Sequence, residues 1–255
     1  MLPVILISGW ATRADSLFPL GDDLSQTASV HTVSLHDLPG LIKTDGDDDR
    51  VSQYASGLLS YIQNLKGRCI VAGWSTGAIV ALETAAYYQN QIAGIVMING
   101  TARFCTDRSY EFGRPEVIPR AMSQALSIAG HTVLTGFFTD VFSPFVPDGD
   151  EISKSVEAAL GIDVKELKAG LKYLREVDLR DRLKNIAVPT VIIHGREDAI
   201  VPLGAGQYLA DNIAGSEYVI FDSVGHDLPL RYPGKVKGVI RRFIEHYFSE
   251  EDVAK

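Results

Sequence analysis

Short, continuous apolar runs alternate along this chain with stretches whose apolar residues recur at helical spacing. Residues 4–8 (VILIS), 30–35 (VHTVSL), 69–73 (CIVAG), 92–98 (IAGIVMI), 188–194 (VPTVIIH) and 217–221 (EYVIF) read as strands. Several of these are apolar at every position rather than at alternate ones, which marks strands of a parallel sheet covered on both faces. Residues 17–25, 51–65, 76–89, 205–213 and 236–248 read as helices. In the second of these the periodic set is Val51, Tyr54, Leu58, Leu59, Ile62 and Leu65. The repeated strand–helix order predicts right-handed crossovers and an α/β class, with a mostly parallel central sheet flanked by helices.

The alternation stops near residue 101 and resumes near 176. The intervening stretch has no clear strand, concentrates Phe104, Phe112, Phe137, Phe138, Phe142 and Phe145, and is broken by Pro115, Pro119, Pro144 and Pro147. Its residues 160–174 look helical. A structureless loop of that length is improbable in a compact domain. Residues 101–175 are therefore expected to form a helical insertion, with residues 1–100 and 176–255 forming the core.

Composition narrows the function classes. The 255 residues carry a net charge of −8, which argues against a nucleic-acid binder, since that needs a basic face. Two cysteines make no disulfide framework; Cys69 lies in an apolar run and reads as buried, whereas Cys105 follows a strand end and reads as partly exposed. The apolar N-terminus (MLPVILISGW) lacks a basic leader and a small-residue cleavage site, so it reads as the first strand. No run reaches the roughly 18 apolar residues of a membrane span. A cytoplasmic protein is the expectation. The acidic cluster Asp45, Asp47, Asp48 and Asp49 lacks the glycine and glutamate spacing of a calcium loop and reads as a solvated turn. No phosphate-binding glycine loop or Cys/His cluster is apparent, so no cofactor or metal is expected.

One constellation carries chemistry. Gly73-Trp74-Ser75-Thr76-Gly77 fits G-x-S-x-G, a short pattern whose weight comes from its context. A buried strand ends just before Ser75 and a strong helix begins just after it, the setting in which a sharp turn holds a nucleophilic serine above a sheet. A serine hydroxyl needs a base. Of the six histidines, His226 lies after the last predicted strand and before the last helix, where a base belongs. His31, His36 and His246 lie elsewhere, His194 reads as structural, and His131 belongs to the insertion, where a solvated or packed role is favoured. The acid is expected between serine and histidine in the chain. Asp198 follows the strand 188–194, with Glu197 as the nearest rival; after the strand 92–98 come Asn99-Gly100-Thr101 and no acid. An aspartate bonded to the histidine fixes its tautomer and stabilises the imidazolium. The two oxyanion donors are expected to be the backbone N–H groups of Thr76 and Trp10. Trp10, Phe137 and Phe138 are expected to bind an acyl chain, because aromatic walls bury methylenes well.

Over nearly its whole length the chain resembles the α/β-hydrolase superfamily, and within it the pimeloyl-[acyl-carrier protein] methyl ester esterases of biotin synthesis. The likeness is carried by Ser8-Gly9-Trp10, by GWSTGAIVA at residues 73–81, and by YLREVDLRDRLKNI at 173–186 leading into VPTVIIHGREDAIVP. The resemblance implies an α/β-hydrolase fold with a helical lid, a triad of Ser75, Asp198 and His226, and oxyanion donors at Trp10 and Thr76. It implies a carboxylesterase that removes the methyl group from a pimeloyl chain held on acyl carrier protein. Ser8 stands where the family often has histidine. The insertion offers Arg103, Arg108, Arg114, Arg120 and Lys154 to an acidic carrier, but acidic residues interleave with them. Two alternatives remain open: a general esterase or thioesterase for small acyl groups, and a ligand-sensing protein that retains the triad.

Overall fold

The computed structural model describes residues 2–25, 28–42, 50–65, 67–146 and 149–248. The acidic cluster at 45–49 lies outside the described residues.

Six strands form one sheet: β1 (Pro3–Ile7), β2 (Ser29–Val33), β3 (Cys69–Trp74), β4 (Ile92–Ile98), β5 (Thr190–Gly195) and β6 (Glu217–Phe221). Their order is β2-β1-β3-β4-β5-β6 and every pairing is parallel. Every residue of β3, β4 and β5 is buried, whereas β2 and β6 at the edges are only partly covered. Burial on both faces explains the unbroken apolar runs of the inner strands. The helices are α1 (Phe18–Leu24), α2 (Gln53–Ile62), α3 (Thr76–Tyr88), α4 (Val117–Phe142), α5 (Gly149–Leu160), α6 (Val164–Glu176), α7 (Leu203–Asn212), α8 (Leu228–Arg231) and α9 (Pro233–Tyr247). Helix α3 is buried along most of its length, so it shows no polar stripe in the sequence.

Between β4 and β5 the chain forms α4, α5 and α6, with α4 packed on both of the others. Helix α4 bends at Ala129, whose φ of −136° and ψ of 41° leave the helical region. Among the described helices, α4 alone is long and apolar enough to cross a membrane by length and composition. The two ends of the excursion meet. Leu179 N–H donates to the Ala102 carbonyl at 2.9 Å, and Arg103 pairs with Asp178 by both a backbone bridge and an ion pair. Asp107 and Arg180 extend that ion pair into a network. Cys105, expected to be partly exposed, is 2% exposed, because α6 covers it and its thiol faces the Leu174 carbonyl of that helix.

A buried carboxylate ties this segment to the core. Glu83 of α3 accepts from Ser52 N–H at 2.8 Å, from the Ser52 hydroxyl at 2.7 Å and from the Tyr173 hydroxyl of α6 at 2.7 Å. Three donors make the burial of its charge tolerable. Ser52 also caps α2 by accepting from Ala55 N–H.

Candidate active site

The loops at the carboxyl ends of β3, β5 and β6 bring Ser75, Asp198 and His226 to one end of the sheet. This is where open α/β sheets place ligands. Ser75 sits between β3 and α3 with φ 57° and ψ −121°, an uncommon conformation for a residue with a side chain. The turn is possible because its neighbours are glycines. A Cβ on Gly73 would fall on the Gly77 backbone, and one on Gly77 would lie 2.5 Å from the Ile7 carbonyl oxygen. Strand β1, the turn and α3 therefore pack backbone to backbone, which leaves the Ser75 side chain at the surface of the cavity described below.

Asp198 is held at both oxygens. Its Oδ1 accepts from Ile200 N–H and Val201 N–H, each at 2.8 Å. Its Oδ2 accepts from His226 Nδ1 at 2.7 Å and from Asn99 Nδ2 at 2.6 Å. Burial pushes this carboxyl group up, yet the His226 imidazole, His194 and the Val201 N–H together hold it below the usual carboxylate range. The carboxylate makes Nδ1 the protonated nitrogen of His226, so Nε2 carries the lone pair of a base. Nε2 has no hydrogen-bond partner among the described residues. The structure forms no hydrogen bond between it and Ser75 Oγ; such bonds often form only once substrate is in place. The histidine loop is itself fixed, since Trp74, next to Ser75, donates its indole N–H to the His226 carbonyl at 2.9 Å.

His194 lies within the same cluster, with Nε2 3.7 Å from Asp198 Oδ2. That nitrogen donates to the Val201 carbonyl at 2.9 Å, and burial lowers the pKa of the ring, so His194 is a neutral support of the acid loop. Of the two candidate acids, Glu197 is exposed, whereas Asp198 is 8% exposed and is the one bonded to His226. His131 is exposed on α4 and, among the described residues, bonds within its own helix to Thr135.

Trp10 and Thr76 line the same cavity as Ser75. Among the described residues neither backbone N–H is used in a hydrogen bond. The indole of Trp10 donates to the Leu167 carbonyl of α6 at 2.8 Å, and a Cβ on Gly170 would sit 2.6 Å from its ring. The loop after β1 is thus clamped to α6. Ser8, in the position where the sequence departs from its likeness, accepts from Leu35 N–H and donates to the Thr12 carbonyl, so it braces this loop.

The cavity measures about 490 Å³ and is predominantly apolar. Ile118, Pro119, Ala121, Met122, Ala125, Val133, Gly136 and Phe137 of α4 form one wall, and Leu171 and Leu174 of α6 another. Phe137 meets Trp10 edge to face at 4.7 Å. Phe138, expected beside it at the substrate, is 2% exposed and does not line the cavity; helical geometry turns it away to pack against Phe142. Arg114 and Asp140 supply the charge on the wall, and Arg114 also donates to the Ala199 carbonyl of the acid loop at 2.8 Å. Among the described residues no group of three metal-ligating side chains exists.

The alpha/beta hydrolase family profile matches residues 4–237. The chain belongs to that family. Among curated alpha/beta hydrolase relatives, the pimeloyl-[acyl-carrier protein] methyl ester esterase of Nitrosomonas europaea is 27% identical over 234 residues, covering 90% of each chain. The enzyme of that name from Aromatoleum aromaticum is 28% identical over 248 residues, covering 90% of this chain and 93% of its own. Among solved structures, an esterase from Exiguobacterium antarcticum superposes with a TM-score of 0.82 at 20% identity, covering 96% of this chain and 92% of its own. At that identity the likeness shows the fold, and the parallel sheet with its flanking helices is that of an alpha/beta hydrolase.

Sequence reasoning missed Asn99. The signal was its place at the carboxyl end of β4, where an acid was sought and an amide was found.

Proposed function

We propose that this chain is a serine carboxylesterase that hydrolyses the methyl ester of a pimeloyl chain carried on acyl carrier protein. The observation that carries the reading is the apolar cavity ending at Ser75, lined also by Trp10 and Thr76, in a chain whose curated relatives bear the name of that activity.

Ser75 Oγ attacks the ester carbonyl while His226 Nε2 takes its proton. Asp198 holds the ring and stabilises the imidazolium. The N–H groups of Trp10 and Thr76 receive the oxyanion, assisted by the N-terminus of α3. The C–O bond to the methoxy group breaks, His226 returns the proton to it, and methanol leaves an acyl-Ser75. Water then attacks, its proton passing to His226. The acyl–Oγ bond breaks, the proton goes to Ser75, and a free carboxylate is released.

Residues 101–175, which carry α4, α5 and nearly all of α6, act as a lid. Trp10 and Phe137 flank the chain, and the apolar wall of α4 accepts its methylenes. The partner is acyl carrier protein, met in the cytoplasm. Lid cations bear on this point: Arg103 and Arg114 pair with Asp178 and Asp140, whereas the exposed Arg108, Arg120, Lys154 and Lys165 show no ion pair among the described residues and could face a carrier. The acidic residues interleaved with these cations, Asp107, Glu111, Glu116 and Asp140 among them, favour a second reading, an esterase for small acyl groups that needs no carrier.

The test is demethylation of methyl-pimeloyl acyl carrier protein by the purified protein, with Ser75→Ala alongside. Rapid methanol release, lost in the variant, is expected. Ser75-dependent cleavage of p-nitrophenyl butyrate with no action on the carrier-bound ester selects the second reading. No Ser75-dependent cleavage of either rejects both.

A further inference from the structure

We propose that Asn99 is a positioning residue for the acid–base pair: its amide fastens the acid loop to the histidine loop and fixes the oxygen of Asp198 that His226 uses. This inference rests on the triad reading above.

Asn99 lies directly after β4, fully buried. Its Nδ2 donates to Asp198 Oδ2 at 2.6 Å and to the Gly225 carbonyl at 3.0 Å. Gly225 is the residue before His226. One amide nitrogen therefore uses both of its protons to join the two loops that supply acid and base. Both partners are acceptors, which fixes the orientation of the amide: nitrogen must face them and Oδ1 must face away. Oδ1 then has no hydrogen-bond partner among the described residues. The backbone is held at φ 49°, a left-handed conformation that asparagine tolerates better than most side chains. Its own N–H is fixed to the Ile193 carbonyl of β5 at 2.8 Å. An unpaired buried carbonyl and a left-handed backbone both cost stability. What they gain is a donor aimed at the one carboxylate oxygen that also accepts from His226.

That donor has an electrostatic consequence. It disperses charge on Oδ2, so the carboxylate attracts an imidazolium less strongly than it would without the amide. Removing the amide concentrates the charge and favours the protonated ring. The other ionisable groups nearby are His194 on β5 and Asp227, which follows His226 and is paired with Arg231. The variants below change neither.

Asn99→Gly deletes the amide while accepting the left-handed backbone. Asn99→Asp keeps the shape but sets a second carboxyl group beside Asp198. The readouts are kcat, KM and the pH profile of kcat/KM on p-nitrophenyl butyrate, with Ser75→Ala as control. In Asn99→Gly we expect kcat to fall roughly tenfold or more, as for loss of a hydrogen bond to a charged group, with little change in KM. The acid limb of kcat/KM should move to higher pH. In Asn99→Asp the profile should gain an ionisation that the wild type lacks, because adjacent carboxyl groups share a proton. Unchanged kcat and superimposable profiles, with only a lower melting temperature, would overturn the proposal. If Asn99→Gly does not fold, the isosteric Asn99→Asp decides alone. If the wild type shows no Ser75-dependent cleavage, the functional reading fails separately, and the low-field proton resonance of the His226–Asp198 hydrogen bond takes over. A shift in the Asn99 variants is then expected, and an unmoved resonance rejects the role.

Discussion

The loops at the carboxyl end of the sheet and the helices inserted between β4 and β5 are built on opposite principles. In the loops, position comes from short polar contacts and backbone sterics. Asp198 takes hydrogen bonds from Ile200, Val201, His226 and Asn99, and Gly73 and Gly77 let Ser75 stand at φ 57°. In the inserted helices, position comes from apolar packing of α4 on α5 and α6, with a few ties at the base and to Glu83. Directional contacts fix atoms to fractions of an ångström and fail abruptly when one is removed. Apolar packing is graded in its losses and adapts to shape. The two regions should therefore answer mutation differently, the loops in turnover and the helices in binding or stability.

The largest expected effect lies in the loops. Asp198→Asn should lower kcat by about 10³–10⁴-fold, through loss of the correct histidine tautomer, without unfolding the protein. Glu197→Gln should change kcat by less than about twofold, since that side chain is exposed. Steady-state kinetics with circular dichroism on both variants checks this. The reverse pattern would transfer the acid role to Glu197 and break the comparison at its strongest point.

The contrast also explains what was legible in the sequence. The inner strands announce themselves because they are apolar throughout, and Ser75, Asp198 and His226 follow from a motif plus chain order at strand ends. The insertion was legible as a strandless, helical stretch with one helix expected at residues 160–174, but its other helices were not placed. Its longest helix, α4, is apolar on the side facing the cavity as well as on the side facing the protein, so it lacks a periodic polar face. Pro119 adds a misleading break, although it sits in the first turn, where a missing N–H costs nothing. Asn99 was half legible for a different reason: its place at the end of β4 marks it, but its role depends on two loops more than ninety residues away in the chain, which no local pattern encodes.

Adjacent phenylalanines on α4 test the difference within one helix. Phe138 is buried and stacks with Phe142, so Phe138→Ala should cost about 3–5 kcal/mol of stability, as for other buried aromatic truncations. The Michaelis constant should change little. Phe137 lines the cavity and touches Trp10, so Phe137→Ala should spare most of the stability and raise KM for the longer esters of an acyl-length series by about tenfold, the worth of part of an aromatic wall. Denaturant melts and a chain-length series on both variants separate the two effects. Equal KM changes would mean that α4 moves as a whole and that Phe138 reaches substrate through it.

The smallest expected effect concerns His194, the neutral member of the polar cluster. Burial lowers its pKa below the ordinary histidine value, although Asp198 opposes this. Its Nδ1 has no hydrogen-bond partner among the described residues, so a proton added there gains no acceptor. As pH falls through about 6.5, the unfolded chain takes up a proton at this residue and the folded chain does not. Stability therefore declines as pH falls from that value towards the lower folded value. His194→Gln removes the titration and should flatten the melting temperature between pH 7 and 6. His36, also lowered by burial, titrates in the same sense and leaves a residual slope in the variant. Parallel curves for wild type and variant would mean that His194 protonates without penalty, and that the acid loop yields to charge more readily than its hydrogen bonds imply.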